Sequence, residues 1–176
     1  MLARHPSVDL LVNNAGIGAR ASFLVADPER IEEVTRVNYL GSVWCTRAFL
    51  PGLGRGAHVV NVVSVAGGVA GGPYSAAKHA QLAFSRSLAV DLAPRGIAVH
   101  GVLPGFVETP GFPQRERLGP LLGRIVVDPP LVAQRILDAV EHGKREIVVP
   151  RWYRPSLWVQ ALFPSLVVRL RARSPR

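Results

Sequence analysis

The chain has 176 residues, 48% of them apolar and 19% charged, which is enough for one folded core and too apolar for disorder. Its single cysteine, Cys45, excludes an internal disulfide and a cysteine zinc site. The net charge of +9 is uneven: residues 1–143 hold 13 basic and 11 acidic side chains, residues 144–176 hold 8 and 1.

The excess therefore sits on the C-terminal end. A nucleic-acid partner wants a basic face on the folded body, with aromatics for stacking, and is not expected here. The first ten residues carry no apolar secretory core, and no uninterrupted apolar run reaches the roughly 18 residues of a spanning helix. A cytoplasmic chain, peripheral at a membrane at most, is the expectation.

In chain order, the first β-branched run is 9–13. A helix is predicted over 28–49, with Asp27 as N-cap and Pro28 at its first position. The second run, 58–63, precedes a glycine-rich stretch and a helix over 75–93, in which Ala80, Phe84, Leu88 and Leu92 recur every fourth residue. Gly96 follows, and then the third run, 97–103. A third helix is predicted over 129–142, capped by Asp128, apolar at Val132, Ile136 and Val140, and stopped by Gly143. The fourth run is 146–149. Near-continuous apolar runs separated by helices predict a parallel sheet covered on both faces, an α/β doubly wound architecture.

Several residues carry chemistry. Asn13-Asn14-Ala15-Gly16 follows the first strand and Ser64 ends the second. Tyr74 and Lys78 form a Tyr-x-x-x-Lys at the start of the second helix. Residues four apart share a helix face, and an ammonium beside a phenol favours the phenolate, so a lowered tyrosine pKa is expected. That suits proton transfer to or from an alcohol. Lys78 is one of only two lysines, against 19 arginines. Asn38 lies mid-helix, where asparagine is a poor helix former. Pro104-Gly105-Phe106-Val107-Glu108-Thr109 ends the third strand. The histidines, His5, His58, His79, His100 and His142, show no metal-ligand spacing, so no metal is expected. Cys45, among Val43, Trp44 and Ala48, is expected in the core.

In order and at nearly the same spacing, these motifs resemble the short-chain dehydrogenase/reductase family over residues 8–150. The resemblance implies a partial Rossmann-type sheet lacking its first strands, in a domain over 1–150, with a basic amphipathic tail over 151–176. It implies a secondary alcohol or ketone as substrate, NAD or NADP as cofactor, and a homo-oligomer in the complete form. Tyr74 would be the general acid/base, Lys78 its electrostatic partner and ribose ligand, and Ser64 the group that holds the substrate oxygen. Asn38 would kink its helix and support a proton relay. Asn14, Ala15 and Gly16 would line the adenosine ribose, and Pro104, Gly105, Val107 and Thr109 would frame the nicotinamide.

Two departures bear on activity. The glycine-rich pyrophosphate turn that opens such enzymes is not among these residues, so weak cofactor binding and impaired turnover are expected. A non-catalytic remnant or interaction module is the alternative. Ser64 and Tyr74 are ten residues apart, closer than is usual for the family. The intervening segment must tighten if both are to face one substrate oxygen.

Substrate cover is expected from Phe106, Phe112, Leu118, Leu121, Leu122 and Ile125, whose apolar character suggests a lipid-like ligand. The tail places Trp152 and Trp158 beside arginines and then runs through Leu162, Phe163, Leu166 and Leu170. It is expected to lie on a membrane surface or in a partner's apolar groove, the alternative being that it folds back on the domain.

Overall fold

The computed structural model describes residues 4–19, 21–110 and 114–172. Four strands form one wholly parallel sheet in the order β1 (Leu10–Asn13), β2 (His58–Val62), β3 (Ala98–Pro104) and β4 (Glu146–Val149). The connections carry the helices. α1 (Pro28–Thr35) and α2 (Gly41–Phe49) join β1 to β2, and α3 (Pro73–Leu92) joins β2 to β3. α4 (Arg115–Leu122) and α5 (Pro129–Glu141) join β3 to β4, and α6 (Arg154–Leu162) and α7 (Pro164–Ala172) follow.

Successive side chains of a strand point to opposite faces, so one valine run feeds two cores. Val59 and Val99 pack with Leu53, Leu92 and Ile97 under α3. Val60 and Val102 face the other way, onto Val132, Ile136 and Val140 of α5. Each such valine is worth about 1.5–3 kcal/mol when fully removed from water. Around the C-terminal ends of the strands a third cluster joins Val63, Leu103 and Val148 to Leu82 of α3 and to Tyr153 and Leu157.

The expected helix over 28–49 is interrupted by a π-helical turn, Arg36–Leu40. The wider turn carries Asn38 inward, where it is fully buried. Asp27 caps α1 as expected, accepting from the Glu29 amide at 3.1 Å. Asp128 sits at the start of α5, but its carboxylate binds Arg115 at 2.8 Å and makes no cap bond. Gly96 and Gly143 stop their helices with positive φ, as Gly at these positions predicts. Cys45 is exposed, because α2 turns Ser42 and Thr46 inward. On α3 the residues turned to the sheet are Lys78, Gln81, Leu82, Ser85 and Leu92. Ala80, Phe84 and Leu88 flank that face, half-buried.

Candidate active site

Parallel strands bring the chain ends that follow β1, β2 and β3 to one edge of the sheet, where α/β proteins bind ligands. Asn14, Ala15 and Gly16 lie exposed just beyond β1. Ser64 follows β2, Gly105 follows β3, and Tyr74 and Lys78 enter from the first turns of α3.

The short Ser64–Tyr74 segment tightens by coiling. Val65–Gly68 forms a 3-10 turn, with the Ser64 hydroxyl accepting from the Ala66 amide at 3.1 Å. Ser75 Oγ reaches the carbonyls of both Ala66 and Val69, tying the segment to α3. Gly67 lies so close to α3 that an added Cβ would stand 2.7 Å from the Lys78 carbonyl oxygen. Coiling brings Ser64 near enough to Tyr74 to influence its titration, while Ser64 Oγ donates to Pro104 O at 3.4 Å.

Tyr74 differs from expectation in one respect. Its phenol is held above the ordinary tyrosine value, with burial as the main cause and the Ser64 side chain pulling the other way. The ammonium stands 6.0 Å from the ring centroid and is engaged elsewhere. Lys78 Nζ donates to Val62 O at 2.9 Å and to Gln81 Oε1 at 2.8 Å. Burial lowers its pKa to about 8. A buried tyrosine and a buried lysine both favour their neutral forms. Both groups still lose their protons above neutral pH, so the pair at pH 7 is a protonated phenol beside an ammonium.

Asn38 grips the segment after β1, with Oδ1 accepting from Ile17 N at 3.0 Å and Nδ2 donating to Ile17 O at 2.8 Å. A Cβ on Gly16 would lie 2.8 Å from Asn38 Oδ1 and 3.6 Å from Lys78 Nζ, so Asn38, Gly16 and Lys78 form one wall. At the third strand end, Val107 pairs with Val127 in an isolated parallel bridge. The Tyr153 ring packs against Gly105 and meets Phe106 edge-on at 6.4 Å. Phe106, Leu118 and Ile125 are half-exposed to half-buried around this region. Phe112 lies outside the described residues, and the side chains of Leu121 and Leu122 are likewise undescribed.

Sequence reasoning missed the polar layer beneath the site. Asn13 Nδ2 donates to Thr46 Oγ1 at 3.0 Å and to Asn61 Oδ1 at 2.8 Å, and Asn61 Nδ2 donates to Ser85 Oγ at 3.0 Å. Gln81 Nε2 donates to Ser42 Oγ at 2.8 Å. The available signal was polar residues at positions 81 and 85, on the face of α3 that also carries Lys78 and Leu82.

A parallel α/β sheet thus brings Ser64, Tyr74 and Lys78 together beyond its strand ends. The short chain dehydrogenase family profile matches residues 1–117, and the chain belongs to that family. It is 34% identical over 172 residues to 17-beta-hydroxysteroid dehydrogenase 13 of Rattus norvegicus, covering 92% of this chain and 55% of that protein. Identity to dehydrogenase/reductase SDR family member 7B of Xenopus laevis is 34% over 181 residues, covering 96% and 53%. The chain thus spans about half the length of these curated relatives. A short chain dehydrogenase from Burkholderia cenocepacia J2315, solved in complex with NADP, superposes with a TM-score of 0.80 at 26% identity, covering 98% of this chain and 74% of that one. One from Mycobacterium paratuberculosis bound to NAD gives 0.71 at 25% identity, covering 84% and 64%.

Proposed function

We propose that the protein transfers hydride between a nicotinamide cofactor and an apolar secondary alcohol or ketone, with Ser64, Tyr74 and Lys78 as its catalytic side chains and Asn38 in support. The observation that carries this reading is the convergence of Ser64, at the end of β2, with Tyr74 and the buried Lys78 on the first turns of α3, the ammonium 6.0 Å from the Tyr74 ring centroid. The donor set fits such a cofactor. Lys78 presents a cation beside a wall that lacks a side chain at Gly16, and Asn14 and Ala15 are exposed next to it. Asn14, Ala15 and Gly16 would hold the adenosine ribose, Lys78 the nicotinamide ribose, and Pro104, Gly105, Val107 and Thr109 the nicotinamide. When bound, the cofactor supplies or accepts the hydride.

The chain's own residues do the rest. Ser64 hydrogen-bonds the substrate oxygen and fixes it against Tyr74. In the reductive direction the Tyr74 phenol gives its proton to that oxygen, and the Lys78 ammonium stabilises the phenolate left behind. Asn38 holds the Ile17 backbone and so keeps Gly16 against Lys78. Phe106, Leu118 and Ile125 give the substrate side an apolar lining, in keeping with a relative named for hydroxysteroids. Trp44, half-exposed on α2, and Val90, exposed on α3, support self-association through these helices. We also place the tail on a membrane surface, because Arg151, Arg154 and Arg169 accompany exposed tryptophans with no acid from Ile147 onward.

Tyr74→Phe tests the assignment. Removing the phenolic proton should cut turnover of an apolar ketone with NADH or NADPH by about 10² or more. Unchanged turnover removes Tyr74 from the mechanism.

A further inference from the structure

We propose that Gln81 is a positioning residue for the Lys78 ammonium, bridging it to Ser42 on α2. Gln81 is fully buried, on a helix face whose neighbours include Ala77, Leu82 and Leu92. A buried amide at such a place costs stability unless both its ends are satisfied. Here both are: Oε1 accepts from Lys78 Nζ at 2.8 Å and Nε2 donates to Ser42 Oγ at 2.8 Å. The ammonium dictates which way the amide faces, since it can only donate. The Ser42 hydroxyl takes the remaining end as acceptor. Nζ is then held between Val62 O and Gln81 Oε1, which leaves its third proton for the ligand side.

The choice of a neutral acceptor has a consequence. A carboxylate at position 81 would hold Lys78 equally well but would cancel its charge. The amide fixes the ammonium and leaves its field available to Tyr74. The groups that face Lys78 from the neighbouring elements are neutral as well: Ser42 lies behind Gln81, Asn38 stands beside Gly16, and Val62 offers only a carbonyl. Among the described residues, Tyr74 is the titratable side chain beside it.

This deepens the reading of Lys78 as a catalytic group, but its test reads the ammonium and not turnover, so each can fail without the other. The chain has two lysines, so carbon-13 and nitrogen-15 lysine labelling yields two side-chain signals, with Lys144 as the internal reference. In the 176-residue chain the Lys78 signal should titrate near 8. Gln81→Leu removes an acceptor for the charged form and should move that midpoint down by about one pH unit. Gln81→Glu should move it up by about one unit or more, and Ser42→Ala should give a smaller downward shift. A residue that merely fills space would not shift the midpoint in opposite directions. If Gln81→Leu does not fold by far-UV circular dichroism, Gln81→Glu and Ser42→Ala decide the matter. A Lys78 midpoint that stays put in the folded variants overturns the proposal.

Discussion

Gly67 shows how a single missing side chain can decide whether the site closes. The stretch from Ser64 to Tyr74 spans its gap only by lying on α3, and at Gly67 the space left is that between a hydrogen and a backbone carbonyl. A Cβ there would meet Lys78 O at 2.7 Å and the Val63 side chain at 2.9 Å. The first of these is helix backbone and cannot turn aside. Gly67→Ala is therefore expected to lift the 3-10 turn from α3, costing about 1–3 kcal/mol, the usual range for overpacking. Urea unfolding measures the loss, and a midpoint equal to wild type would show that the segment has slack. At this scale the sequence was legible where chemistry demands particular residue types: Ser64, Tyr74, Lys78, Asn38 and Gly16 do converge. It was not legible where the environment sets the outcome. Proximity in sequence predicts that Lys78 lowers the tyrosine pKa, whereas burial raises it and aims the ammonium at Val62 and Gln81. Burial and third partners are properties of the folded chain and have no one-residue signature.

Strands and most helix ends follow from local rules, because β-branched runs and the Gly and Pro positions act within a few residues. The break between α1 and α2 does not, since it depends on Asn38 reaching Ile17 across 21 residues of sequence. The histidines, read singly from sequence, gain meaning only from strand register. His58 and His100 lie on neighbouring β2 and β3 with ring nitrogens 3.0 Å apart. His100 Nδ1 meets the Lys144 carbonyl at 2.8 Å and must donate to it, so Nε2 is left to accept from His58 Nδ1. Neutral His100 thus ties β3 both to β2 and to the turn before β4. Burial is the main cause that lowers its pKa below the ordinary histidine value, and His58 adds to it. The sign follows: as pH falls below about 6.5, the unfolded chain takes up a proton that the folded chain refuses. Stability contributed by His100 is complete above that pH and declines as pH drops toward the folded value. Urea midpoints should fall more between pH 7.5 and 5.5 in wild type than in His100→Gln. Equal falls would place the acid sensitivity elsewhere.

Across the whole molecule, the sheet edge and the tail are two of the surfaces that the described fold leaves apolar. Leu10 and Val12 on edge strand β1 are 41% and 42% exposed, the kind of edge that proteins usually cover. The tail divides its apolar residues between two tasks. Tyr153 and Leu157 join the cluster at the strand ends, with Leu157 against Gly68, and Gln160 Oε1 accepts from the Ala70 amide at 3.0 Å. To that extent it folds back on the domain. The rest of the tail leaves Trp158, Leu162, Phe163, Leu166, Val168 and Leu170 exposed, in the same segment as Arg154 and Arg169. Arg173 and Arg176 lie outside the described residues. Among the described residues, no helix is long and apolar enough to cross a membrane. A surface-lying pair of helices is the arrangement this pattern favours, with tryptophan at the headgroup boundary and each arginine adding about 1 kcal/mol at an anionic surface. Cutting the chain at Pro150 would remove Tyr153 and Leu157 from the core and blur the result. Replacing Trp158, Leu162 and Phe163 together with serine spares both. The wild-type chain should co-sediment with vesicles containing phosphatidylserine and much less with pure phosphatidylcholine, and added salt should weaken it. The triple variant should pellet about tenfold less at equal lipid, since it loses three exposed apolar anchors. Equal pelleting of variant and wild type would mean that the tail is not the anchor.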